Sequence, residues 1–108
     1  VGLNLLLILH GNMPHTAKEW KYLQIFTNPG CQGKVQFMVL DTIVSAKEWY
    51  STGPKVWREL GDLSSGYTLF RFPSDTRGKL MYLRIYEASS NAKFDLYSIN
   101  YSFDPIPL

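Results

Sequence analysis

The chain has 108 residues, of which 45% are hydrophobic and 15% aromatic, and its formal net charge is +2. That length makes one domain with one core, and that composition excludes disorder. A pI near 8.7 reflects scattered lysines and arginines rather than a basic patch, so neither nucleic acid nor membrane is an expected partner. The lone cysteine, Cys31, rules out an intrachain disulfide and leaves stability to the core. The start at Val1 rather than Met points to a processed protein or a piece of a longer one. The domain expected is 1–108.

Turn residues divide the chain into strand candidates. The first is Leu3–Leu9, an apolar run ended by His10-Gly11-Asn12. It is far below the roughly 20 residues that span a bilayer, and reads as a strand buried on both faces or packed on a neighbouring chain. Pro14 keeps the next stretch a loop. The second strand runs from Trp20 to Thr27, with Trp20, Tyr22 and Phe26 on one face and Leu23 and Ile25 on the other. Asn28-Pro29-Gly30 is a turn. The third, Lys34 to Asp41, sets Val35, Phe37 and Val39 against Gln36, Met38 and Leu40, as a central strand should.

Residues 42–54 hold Ile43-Val44, which extend that strand or begin another, and Ser45-Ala46-Lys47-Glu48-Trp49-Tyr50, where Ser45 and Glu48 have capping-box spacing for one helical turn. Lys55–Leu60 is a short strand and Tyr67–Phe72 another, with polar loops at 61–66 and 73–79. The last third reads as a hairpin. Its first strand places Met81, Leu83 and Ile85 on one face and Leu80, Tyr82, Arg84 and Tyr86 on the other. Its second begins on Phe94 and Leu96 and continues on Ile99, Tyr101 and Phe103. The step from 96 to 99 is odd, whereas one face of a strand recurs at even steps. A bulge near Tyr97-Ser98 must absorb the difference.

No segment has helical periodicity long enough for a core helix. The fold class expected is all-β, an antiparallel sandwich of about seven strands, with jelly-roll and immunoglobulin-like topologies both open. The tetrapeptide Ala17-Lys18-Glu19-Trp20 recurs as Ala46-Lys47-Glu48-Trp49, but the flanks diverge and no repeat unit is implied.

Little in the chain suggests chemistry. His10, His15 and Cys31 lack the spacing of a zinc site. Cys31 sits in a turn with nothing beside it to stabilise a thiolate. The Gly61–Gly66 loop lacks the Lys-Ser/Thr of a phosphate loop. The Asn100-Tyr101-Ser102 sequon falls inside a strand. No enzyme, metal or cofactor is expected. The informative residues are aromatic and basic. Trp49, Tyr50 and Trp57 suit interface anchors and Arg77 and Lys79 a polar rim, with Arg71 and Arg84 adding to positive charge near the 72–80 loop. Alternatively, Trp49 and Tyr50 form a sugar-stacking platform with Glu48 or Asp62 on the hydroxyls.

Three stretches carry a resemblance: Pro14–Phe26 with its Trp20-Lys21 pair, Gly66–Pro73, and Lys79–Phe103 with its Arg-bearing strand, polar turn and Phe-x-Leu-x-x-Ile-x-Tyr strand. Together they resemble a β-sandwich module of tail and neck structural proteins of tailed bacteriophages. The resemblance implies a non-enzymatic assembly module in a virion, held by copies of itself and neighbouring virion proteins. The rival reading is a carbohydrate-binding sandwich, extracellular or at a phage fibre tip, recognising a surface glycan.

Overall fold

The computed structural model describes residues 3–40, 57–64, 66–87 and 94–107. Within them lie eight strands: β1 (Leu3–Leu9), β2 (Lys18–Thr27), β3 (Lys34–Leu40), β4 (Arg58–Asp62), β5 (Tyr67–Arg71), β6 (Arg77–Gly78), β7 (Leu80–Glu87) and β8 (Leu96–Pro105). They form two antiparallel sheets packed face to face. The first has the order β1-β7-β3-β4. In the second, β2 is central, with β8 on one side and β5 and β6 end to end on the other. The expected all-β sandwich is the observed fold. The proposed helical turn at 45–50, the extension at Ile43-Val44 and the second Ala-Lys-Glu-Trp copy lie outside the described residues.

The core fills the space between the sheets. Trp20, Leu23 and Ile25 from β2 meet Val35 and Phe37 from β3 and Met81, Leu83 and Ile85 from β7, all at most 1% exposed. Period-2 alternation puts them on the inner faces, and Phe72 packs edge-on against Phe37 at 5.4 Å. Cys31 follows the Asn28–Cys31 turn and drops its side chain into this core. A second cluster, Met38, Leu80 and Tyr82 with Leu6, Leu40 and Trp57, occupies the outer face of the first sheet. Both faces of β3 and β7 are therefore largely apolar, as their sequences require.

The last third is not a hairpin. β7 pairs with β1 and β3, whereas β8 pairs with β2 in the other sheet, so the two strands belong to opposite sheets. Both of its faces had partners to satisfy: β7, apolar on two sides, takes the middle of one sheet, while β8 takes an edge of the other. The expected bulge is present: Phe26 faces Ser98 and Thr27 faces Leu96, leaving Tyr97 unpaired. A second bulge lies in β2, where Trp20 faces Phe103 and Tyr22 faces Ser102, leaving Lys21 over. This corrects the expected faces of β2. Trp20 turns inward with Leu23 and Ile25, and Tyr22 and Phe26 turn outward.

The edge beside β2 contains a loop-out. Phe72 N–H donates to Lys21 O at 3.0 Å and Trp20 N–H to Thr76 O at 2.9 Å, flanking the Pro73–Thr76 turn. Thr76, 1% exposed, closes that turn with its hydroxyl on Pro73 O at 2.7 Å. Gly78 then passes against Val39, and the chain crosses at Lys79 from one sheet to the other.

Lys18 organises this crossing. Its side chain is fully buried, and its ammonium donates to the carbonyls of Met13, Thr16 (2.8 Å) and Lys79 (2.7 Å). The rings of Trp20 and Phe103 lie 5.7 and 5.6 Å away. Met13 and Thr16 belong to two successive turns: Met13 N–H donates to His10 O, and Thr16 N–H to Met13 O. The first has Gly11 and Asn12 at φ of 60° and 59°, the left-handed pair of a type I′ turn that Gly and Asn tolerate best.

Candidate functional site

The outer face of the second sheet is the most distinctive surface among the described residues. Its three columns place Arg71, Tyr22 and Ser102 in one row, then Leu69, Gln24 and Asn100, then Tyr67, Phe26 and Ser98. Tyr22, Tyr67 and Leu69 are 40–43% exposed. Alternation alone puts them there: inward Leu23, Ile25, Thr68 and Phe70 send their neighbours outward.

The polar groups of this face are organised around its rings. Arg71 lies over Tyr22, its guanidinium 4.8 Å from the ring centroid, and donates to the Tyr22 hydroxyl at 3.1 Å. Gln24 donates to the Tyr67 hydroxyl at 3.3 Å, and Tyr67 packs on Phe26 at 4.9 Å. The Tyr22–Arg71 pair forms a ridge between two shallow depressions. The larger, about 370 Å³, is lined by Gln24, Leu69, Asn100 and Ser102 together with the ridge. The smaller, about 240 Å³, runs over the Lys21 bulge to Pro73 and Ser74.

Beyond the bulge the face becomes charged. Glu19 accepts from Lys21 at 2.7 Å and pairs with Arg77 at 3.4 Å. The Lys21 ammonium, with Arg77 adding to its effect, holds the Glu19 carboxyl below its ordinary range. Lys21 is correspondingly raised by Glu19.

The sequence-derived candidates are dispersed. Arg77 is exposed and ends this face through Glu19. Lys79 is half-buried at the sheet crossing, and its carbonyl serves Lys18. Trp57 is half-buried against Met38, Leu80 and Tyr82 on the other sheet. Asp62 is exposed at a sheet edge and pairs with Lys34 at 3.3 Å. Glu48, Trp49 and Tyr50 lie outside the described residues. The positive charge expected around the 72–80 loop is divided: Arg71 and Arg77 are on one outer face, and Arg84 on the other, beside Gln36 and over Tyr86.

Sequence reasoning passed over Tyr22, Gln24 and Leu69 as surface residues, and weighed Arg71 only for its charge and Asn100 only as part of a sequon. The signal was present in β2, whose aromatic Tyr22 and Phe26 flank an inward Leu23 and Ile25. Two apolar sides on a strand need either a third layer or a partner. Among the described residues no group of three or more His, Cys, Asp or Glu could hold a metal ion. His10 and His15 are both exposed, remote in burial from the Cys31 thiol. Compared with protein-family models, with characterised proteins and with solved structures, the chain finds no match.

Proposed function

We propose that this chain is a non-enzymatic assembly module of a virus particle, acting through protein–protein interfaces with neighbouring virion proteins and copies of itself. The observation that carries the reading is the open face of the second sheet. Tyr22, Tyr67 and Leu69 make a contiguous aromatic and aliphatic patch, and Arg71, Gln24 and Asn100 supply directional hydrogen bonds within it. Tyrosine and arginine anchors ringed by amides and hydroxyls are the composition of interface centres, and contiguous exposed apolar surface on a domain marks a docking site. The resemblance of Lys79–Phe103 to phage tail and neck modules supplies the virion setting.

The test is side-chain footprinting by hydroxyl radicals on the isolated domain and on the intact particle. Labelling of Tyr22, Tyr67 and Leu69 falls several-fold in the particle, while exposed Met13, in the loop before β2, serves as reference. Equal labelling in both states overturns the reading.

A glycan-binding reading draws on one observation, the depression where Gln24, Asn100 and Arg71 converge beside Tyr22. Planar polar side chains next to a ring suit sugar hydroxyls. Against it, the Arg71 guanidinium already occupies a face of the Tyr22 ring that a sugar would need for stacking. Binding on a glycan array that is lost in Asn100→Ala would favour the sugar reading over assembly.

A further inference from the structure

The four outer edges of the two sheets are not protected alike. β4 carries Arg58, Glu59 and Asp62 and a register shift opposite Val35 and Gln36. The β5–β6 edge is interrupted by the Pro73–Thr76 loop-out and bears Arg71 and Arg77. β8 is bulged at Tyr97 and ends in Asp104-Pro105. Charges, bulges and prolines are the devices that keep edge strands from pairing with other chains. β1 has none of them. It runs seven residues, Leu-Asn-Leu-Leu-Leu-Ile-Leu, in unbroken register with β7, and no charged side chain occurs before His10. Among the described residues, no strand pairs with its other side.

A second observation points to the same flank. The inward side chains of β1 and β8 belong to the core, yet Leu5, Leu7 and Leu9, like Ile99, Tyr101 and Phe103, are only partly buried. On β2 and β7 the inward counterparts Trp20, Leu23, Ile25, Met81, Leu83 and Ile85 are at most 1% exposed, and on β3 only Val39 is partly buried beside Val35 and Phe37. β1 and β8 border the same side of the sandwich: Gly11, just beyond β1, lies against the Phe103 ring and donates its N–H to the Tyr101 hydroxyl at 3.0 Å. The core is open along one seam, and the unprotected strand forms its rim.

We infer that β1 pairs antiparallel with β1 of a second copy, across a two-fold axis at Leu6, fusing two four-stranded sheets into one. The inference rests on the reading of the chain as an interface module and names one of its partners. The occupant follows from the sequence of the strand. In this register Leu5 faces Leu7 of the second copy, and Leu6 faces itself. Inward leucines meet inward leucines, and no like charges oppose each other, which is the usual bar to self-pairing. The same axis brings the two β8 flanks together, so the half-buried side chains of both copies close one another's seams. An isologous contact of this kind stops at two chains.

The test combines mass with register. Sedimentation of the 12.4 kDa chain gives twice that mass, and Ile8→Lys, an edge lysine at an exposed position, returns it to one chain with unchanged circular dichroism. Leu6→Cys cross-links to its own copy under mild oxidation, because directly opposed Cβ atoms lie about 4.5–5.5 Å apart, while Ile8→Cys, offset from its own copy, cross-links several-fold more slowly. A single-chain mass at all concentrations overturns the inference, as does a dimer that survives Ile8→Lys or gives no Leu6→Cys cross-link. Each of those results leaves the footprint of the Tyr22 face unaffected. Failure of the footprint with success of the cross-link overturns the assembly role of that face alone.

Discussion

Lys18 and Lys79 are 61 positions apart, and the ammonium of the first donates to the backbone carbonyl of the second at 2.7 Å. The contact fixes the point where the chain leaves one sheet for the other. Trp20, two residues on and facing the same way, donates its indole N–H to Gly78 O at 3.1 Å. A Lys-x-Trp segment on the inner face of β2 thus holds two successive carbonyls of the crossing, and the remaining Lys18 donors hold the double turn after β1.

Burial lowers the Lys18 pKa from its ordinary 10.5. Replacing it by Met removes the charge but leaves the Met13, Thr16 and Lys79 carbonyls without their charged donor. Lys18→Met is expected to cost about 2–4 kcal/mol, since hydrogen bonds to charged groups are worth about 1.5–3 kcal/mol each and the freed carbonyls regain some solvent. The midpoint of urea unfolding measures it. The pH dependence has a definite sign. Between the lowered folded pKa and 10.5 the unfolded chain binds more protons at this site, so the site makes stability rise with pH. Wild type should gain on Lys18→Met across that alkaline window; a gap that narrows there would contradict a lowered Lys18 pKa in the fold.

Gly78 sets the closeness of the two sheets at the crossing. A Cβ there would lie 2.1 Å from Val39 Cγ1 and 3.2 Å from Val39 Cβ. Gly78→Ala should destabilise by about 1–3 kcal/mol, the range of overpacking in a well-packed interior. Val39→Ala makes room, so the double variant should recover part of the loss relative to the sum of the singles. Strict additivity in a double-mutant cycle would show that Val39 is not the obstacle.

At Gly11 two constraints coincide. Its φ is +60°, and a Cβ would meet the Phe103 ring at 2.2 Å. The left-handed conformation costs a non-glycine residue about 1–2 kcal/mol, and the ring contact adds a steric term, so Gly11→Ala should be more damaging than Gly78→Ala. Asn12→Gly, at φ 59°, should be close to neutral by the same unfolding measurement. Equal losses at Gly11 and Asn12 would mean that neither the left-handed conformation nor the Phe103 ring constrains position 11.

Much of this architecture is legible in the sequence because it is local. The apolar run, broken only by Asn4, marks β1 with its observed bounds, and the odd step between Leu96 and Ile99 marks the Tyr97 bulge. What is not legible depends on choices between distant partners. A polar link between two apolar strands reads as a hairpin, yet β7 and β8 belong to opposite sheets because β7 finds β1 and β3. The Lys21 bulge leaves no mark, since Trp20 and Tyr22 are both aromatic and either could face the core. Lysine is ordinarily a solvent residue, so nothing local announces that Lys18 is buried. The open face escaped for a related reason: Tyr22, Leu69 and Asn100 come from three separate strands, and only the register brings them together.

The open face should separate function from stability. Tyr22 is 40% exposed, and its outward contacts are with Arg71, itself exposed. Surface substitutions of this kind usually change stability by about 0.5 kcal/mol or less. Tyr22→Ala combined with Leu69→Ala should therefore leave the unfolding midpoint nearly unchanged while reducing incorporation into the particle several-fold. A large loss of stability with normal incorporation would mark the patch as structural surface.

The Glu19 cluster gives the last prediction, at acid pH. Lys21 and Arg77 hold the Glu19 carboxyl below its ordinary 4.5, so its contribution is fully present above that value and is lost as pH falls through the lowered folded pKa. Glu19 joins β2 to Arg77 on β6, the short strand that begins the crossing. Glu19→Gln keeps the shape and removes the charge, so it should be less stable than wild type at neutral pH and converge with it in acid. Because the cluster is open to water, added salt should also narrow the neutral-pH gap. A gap that persists in both acid and high salt would mean that Glu19 acts through packing or neutral hydrogen bonding rather than through its charge.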